Sequence, residues 1–175
     1  MEAIAEVACN NGSANATSFW SGHEPANAFI VGNKDAFWLS GSDAKYKGVF
    51  PKMIWYDFSD GNGFIPARIT FQGLQSCKPT ECTQFTPSIW EFVGSNDDVC
   101  GKISDWTILC QDYSGVRPRN HWAIKRCDVK VREEKTYRCL GINILGNDEA
   151  YSYVSNIRMW EKVWAGSHEI SHDMK

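Results

Sequence analysis

The sequence has 175 residues and a mass of 19.8 kDa, the size of one domain. Its formal net charge of −3, from 18 basic and 21 acidic side chains without a charge block, argues against a nucleic-acid partner bound by phosphate neutralisation. At 22% charged and 43% hydrophobic it is not a disordered chain, and no apolar run approaches the ~20 residues of a membrane-spanning helix.

In chain order, Met1 to Glu6 lacks the basic and apolar regions of a secretory signal. Two glycosylation sequons follow, Asn11-Gly12-Ser13 and Asn15-Ala16-Thr17. Beyond them helical periodicity is scarce. Short apolar or alternating runs predict strands over 53–58, 67–72, 89–93, 106–111, 136–145 and 157–163. Turn chemistry separates them, as in Ser59-Asp60-Gly61-Asn62-Gly63, Gly94-Ser95-Asn96-Asp97-Asp98 and Gly146-Asn147-Asp148. This pattern is that of an all-β sandwich or barrel, with a polar tail over 165–175. Trp38, Trp55, Trp90, Trp106 and Trp160 fall in or beside these runs and are expected in the core.

Of the seven cysteines, six (Cys77, Cys82, Cys100, Cys110, Cys127 and Cys139) fall between positions 77 and 139, a density typical of a disulfide-stapled domain. Sequence-near pairs, Cys77 with Cys82, Cys100 with Cys110 and Cys127 with Cys139, are the simplest expectation among about 15 pairings. Cys9 is then the odd thiol, either free or bridging to a second chain. The cysteine density favours a secreted or cell-surface protein, and the alternative is an intracellular chain with reduced thiols.

Several segments in order resemble the discoidin family, the coagulation factor V/VIII C-type domains of the galactose-binding-like superfamily. Ala16-Thr17-Ser18-Phe19 followed by Pro25-Ala26-Asn27-Ala28 resembles the opening strand and loop. Gly32-Asn33-Lys34-Asp35-Ala36-Phe37-Trp38 is similar to the family's turn before a Trp, and Trp55-Tyr56-Asp57-Phe58 to its next strand. Pro87 to Asp97, with Trp106-Thr107-Ile108-Leu109, resembles the "GSnDg…W..L" segment, and Tyr137 to Ile142 the strand after it. The likeness covers residues 10–164. It implies a disulfide-stapled, eight-stranded antiparallel jelly-roll sandwich whose ligand loops gather at one end.

Many members of this family hold calcium in the turn before the Trp. Here Val31 and Ala36 replace two of the usual ligands, leaving Asn33, Asp35 and Glu161 as candidate metal ligands. Calcium takes six to eight oxygens, so most of the expected side-chain ligands are missing, and no other cofactor is expected.

The resemblance places three loops at the ligand end. Trp20 and His23 lie on the first, with Glu24 beside them. Lys45 and Tyr46 lie on the second, over residues 40–47. Arg117, Arg119, His121 and Trp122 lie on the third. Rings that stack on a sugar's C–H face, joined by forked donors and acceptors for its hydroxyls, are the mixture a carbohydrate site needs. The paired arginines also suit a carboxylate, sulfate or phosphate.

Catalytic signals are poor. His168-Glu169-Ile170-Ser171-His172 matches H-E-x-x-H formally, but only three residues follow and no apolar periodicity precedes it. The expectation is a non-enzymatic extracellular binding module, lectin-like or adhesive, for a glycan or glycoprotein. The alternatives are a protein-interaction domain and a phosphatidylserine-binding domain; the acidic balance argues against the membrane. The odd cysteine or an edge strand would allow a homo-oligomer of raised avidity.

Overall fold

A computed structural model describes residues 2–41, 50–58, 63–73, 82–97, 100, 105–120, 122–130 and 134–164. Among them ten strands form two antiparallel sheets packed as a sandwich, in place of the eight expected. The strands are β1 Glu2–Val7, β2 Ser13–Ala16, β3 Phe37–Leu39, β4 Lys52–Asp57, β5 Pro66–Gln72, β6 Ile89–Ser95, β7 Thr107–Asp112, β8 Lys125–Asp128, β9 Cys139–Gly146 and β10 Tyr153–Trp164. One sheet runs β1-β10-β5-β8, with β3 also paired to β10; the other runs β2-β4-β9-β6-β7. The two helical turns, Pro25–Phe29 and Thr83–Phe85, are short 3-10 segments.

The sheet begins before residue 10. β1 pairs with β10 from Glu2 opposite Trp164 to Val7 opposite Met159. The segment's small Ala and Val side chains give little amphipathic signal, and pairing with a long neighbour makes it a strand. β3 is three residues long, and β8 (Lys-Arg-Cys-Asp) has no alternating pattern. Both exist because β10 and β5 offer backbone partners.

Alternation fixes the core. Ile54 and Tyr56 of β4, Ile69 and Phe71 of β5, Trp90 and Phe92 of β6, and Leu140, Ile142 and Ile144 of β9 point inward. Trp90 and Phe71 meet edge to face across the sandwich at 4.7 Å. The same alternation sends Trp55 and Trp160 outward, correcting their expected core placement. Trp55 lies over Gly141, where any Cβ would sit 2.6 Å from its own Cβ, and meets the half-buried Trp106 edge to face. Trp160 lies between the Arg68 and Arg158 guanidiniums, at 5.6 and 5.3 Å. Only Trp38 and Trp90 of the five are fully buried.

The disulfides also differ from the sequence-near expectation. Cys100 pairs with Cys139, and Cys110 with Cys127. The sheet decides this. Cys139 opens β9 opposite Ser95, the last residue of β6, and Cys100 follows shortly after β6. Cys110 and Cys127 lie on the edge strands β7 and β8 of opposite sheets, so their bond ties the open side of the sandwich. Cys82 is also disulfide-bonded, and Cys77 lies outside the described residues.

Cys9 is free and half-buried. Burial, helped by the nearby Glu6 carboxylate, pushes its thiol up to about 12. The thiolate is the reactive form, so alkylation near neutral pH is expected to run about a thousandfold slower than for an ordinary exposed cysteine. Thiol counting without reductant should therefore find one thiol in denaturant and almost none in the native protein. Rapid native modification would show that Cys9 is open to a second chain.

Candidate functional site

The loop before the first 3-10 turn is pinned to β3 at both ends. The Trp20 N–H donates to the Leu39 carbonyl at 2.9 Å, and the Leu39 N–H donates to the His23 carbonyl at 3.3 Å. Between them the His23 N–H closes a turn on the Trp20 carbonyl at 2.8 Å. Gly22 makes that turn with φ of +88°, a backbone region side chains disfavour. The loop is thereby fixed with Trp20 on the surface, 43% exposed, beside Phe19 at 50%. Trp20 is therefore not a plug of the core.

The turn over 147–152, just before β10, faces this loop. Asn147 organises it: its side-chain amide donates to the Glu149 and Tyr151 carbonyls at 2.7 and 2.8 Å, and its oxygen accepts from the Ser152 hydroxyl at 2.7 Å. Ser152 in turn exchanges two hydrogen bonds with Ser40, backbone to backbone and backbone to hydroxyl, each 3.0 Å. These bonds present Tyr151 to Trp20, ring centroids 6.2 Å apart and tilted 64°.

His23 stacks on Phe37 at 4.2 Å, and Phe37 leads through Tyr153 to Phe85, at 5.5 and 4.8 Å. Burial, with the neighbouring Tyr151, raises the Tyr153 phenol above the ordinary tyrosine range. On the far side of the turn Arg117 donates to the Thr83 hydroxyl at 2.7 Å and the Gln84 side-chain oxygen at 3.1 Å, and lies 3.8 Å from Asp148. Trp20 thus meets this turn at Tyr151, His23 reaches Tyr153 just beyond it through Phe37, and Arg117 approaches it at Asp148. Tyr151, Asn147, Asp148 and Tyr153 complete the group and escape a sequence reading. Their signal is the Tyr151-Ser152-Tyr153 alternation, which looks like loop because Asn147 and Asp148 precede it.

Arg119 and Trp122 lie further along the same connection as Arg117. Arg119 is exposed without an ion pair among the described residues. Trp122 is 51% exposed, and its carbonyl accepts from the Gln72 side chain at 2.6 Å, at the end of β5. Lys45, Tyr46 and His121 lie outside the described residues, as does the His168–His172 motif.

The metal candidates lie on two elements, Asn33 and Asp35 in the turn before β3 and Glu161 on β10. The Asn33 side-chain oxygen accepts from the Asp35 N–H at 3.0 Å, and the turn is anchored by the Gly32 N–H on Asn156 at 3.3 Å. Glu161 lies on β10, opposite Ala5 of β1 and Pro66 of β5. Among the described residues the one grouping of three candidate ligands is Asp57, Cys100 and Cys139. Its two sulfurs are joined in a disulfide, and the Asp57 carboxylate holds Arg138 at 3.0 and 3.2 Å.

Concavities of about 430 and 470 Å³ lie elsewhere, one beside Cys9 and Phe29, the other along the open edge at Cys110 and Arg126. A sugar docking flat on exposed rings at the loop end needs no such enclosure.

No family profile and no curated protein matches the sequence. Solved structures do. A family 32 carbohydrate-binding module of Clostridium perfringens NanJ, in complex with galactose, superposes with a TM-score of 0.67 at 12% identity, covering 91% of this chain and all of that one. This chain has the discoidin-like, galactose-binding-like jelly-roll fold. A second Clostridium perfringens module of this fold, in complex with GalNAc-β-1,3-galactose, gives 0.66 at 11% identity over 89% of this chain and 99% of its own. The family 32 module of AlyQ, in complex with 4,5-unsaturated mannuronic acid, gives 0.56 at 14% identity over 84% and 92%. The jelly roll expected from the discoidin resemblance is thus the observed fold.

Proposed function

We propose that this chain is a non-enzymatic carbohydrate-binding module that holds a sugar against Trp20 and Tyr151. The observation that carries this reading is the exposed Trp20 indole, fixed by three backbone bonds and facing Tyr151 across a rigid turn. An aromatic face stacks on the C–H side of a pyranose, while nearby imidazole, guanidinium and carboxylate groups take its hydroxyls. His23, Arg117, Glu24 and Asp148 supply these groups. The structurally similar modules bound to galactose, a GalNAc disaccharide and a uronic acid support the ligand class. The carboxylates beside the rings favour a neutral sugar over an anionic membrane, and the disulfides fit an extracellular setting.

A glycan array on the purified chain, with calcium and then with chelator, tests the proposal. Binding to a related set of sugars in both buffers is expected, because Val31 and Ala36 stand where two calcium ligands would be needed. A blank array in both buffers would overturn the sugar reading in favour of a protein partner.

A further inference from the structure

Lys52, the first residue of β4, is 2% exposed. Its ammonium donates to the Ser40 hydroxyl at 3.3 Å and to the Ala150 carbonyl, and lies 4.7 Å from the Phe50 ring centroid and 6.0 Å from that of Tyr151. Among the described residues no carboxylate contacts it. The titratable side chain facing it is Tyr151, from the 147–152 turn; Ser40 and Phe50 contribute none. A buried cation compensated by a hydroxyl, a carbonyl and two ring faces weakens a fold relative to an apolar side chain of similar size. Its contacts converge on the turn that carries Tyr151.

We propose that Lys52 is a positioning residue for the candidate sugar site: its ammonium clamps the 147–152 turn from beneath and so holds Tyr151 against Trp20. This rests on the sugar reading only for its consequence; the clamp itself is a property of the ligand-free chain. Burial lowers the lysine to about 8, so the clamp is charged at neutral pH and loses its proton in mildly alkaline solution. Deprotonation replaces one of the three N–H donors with a lone pair and removes the charge assistance from the bonds to Ala150 and Ser40. Tyr153, held above the ordinary tyrosine range by burial, does not titrate in that window.

The test uses the full chain with two readouts, the Trp20 indole N–H signal without ligand and the affinity for galactose as probe. Both are measured between about pH 7 and about pH 9.5. In the wild type the indole signal is expected to move with a midpoint near 8, and galactose affinity to fall about tenfold across the range. Lys52→Met is expected to fold with an unchanged or higher melting temperature. It should show an indole signal independent of pH and bind galactose at neutral pH as weakly as the deprotonated wild type. Lys52→Arg, which keeps its charge throughout, should bind without the alkaline loss. An indole signal that stays still in the wild type, or moves identically in Lys52→Met, overturns the proposal. If the glycan array is blank and galactose binds no variant while the indole titration vanishes in Lys52→Met, Lys52 is the clamp and the sugar reading fails.

Discussion

Replacing Tyr151 with alanine is expected to weaken sugar binding about thirtyfold, roughly 2 kcal/mol, while leaving the fold intact. The fold survives because Asn147 and Ser152 hold the turn through their own side chains and through backbone carbonyls, none of which depends on the Tyr151 ring. Trp20→Ala should act in the same direction. Because the two rings meet edge to face at 6.2 Å and would contact the same sugar, the double variant should lose less than the sum of the singles. Trp122→Ala and Arg119→Ala are the contrast. Both residues lie on a loop the sequence favours equally, but the Trp122 backbone carbonyl is bound by Gln72 at the end of β5 while Tyr151 is the ring that meets Trp20, so their affinities should stay close to wild type. Calorimetric titration decides. Near-normal binding by Tyr151→Ala, with loss in Trp122→Ala, would move the site to the β7–β8 connection.

The second large effect concerns the open side of the sandwich. β7 and β8 are the terminal strands of opposite sheets, and Cys110–Cys127 is the covalent link between them. Removing it by a paired Cys110→Ala and Cys127→Ala substitution frees a loop with a sequence separation of 17 in the unfolded chain. The loop-entropy model gives about 3 kcal/mol for this, and a chain of this size would melt roughly 10 °C lower. Thermal unfolding by circular dichroism without reductant measures it. A shift of only a degree or two would mean that core packing alone closes this edge. Cys100–Cys139 closes a longer loop, with a separation of 39, but both its cysteines lie beside the hydrogen-bonded pair β6 and β9. Its removal should cost a similar amount without parting the sheets.

The two effects bear on separate parts of the molecule, and so do the ways in which they can be read. Ile54-Trp55-Tyr56 and Trp90-Glu91-Phe92 announce strands and an inner face because strand alternation needs only the local sequence. Trp55 and Trp160 could not be placed that way: a tryptophan in a strand faces core or solvent according to the register of its neighbours. The cysteine partners were hidden for a related reason. Cys110 is nearest Cys100 in sequence, but β7 runs away from it and crosses to β8 through a connection that brings Cys127 alongside.

The candidate site follows the same division. Trp20, His23 and Arg117 stand out because rings and forked donors beside Gly and Pro are uncommon in plain connections. Tyr151 and Lys52 do not. Tyr151 acquires its role by facing Trp20, 131 positions earlier in the chain. Lys52 opens a strand, where a lysine reads as an exposed end, and only the fold of the 147–152 turn over it makes the ammonium buried. The amino-acid pattern by itself determined the all-β class, the direction of most core side chains and the stapled character of the chain, because these depend on alternation, turn chemistry and composition; the jelly roll was implied by the discoidin resemblance. The tertiary structure alone decided the disulfide partners and the residues meeting at the loop end. Those are distances between segments remote in sequence, and register and sheet order set them.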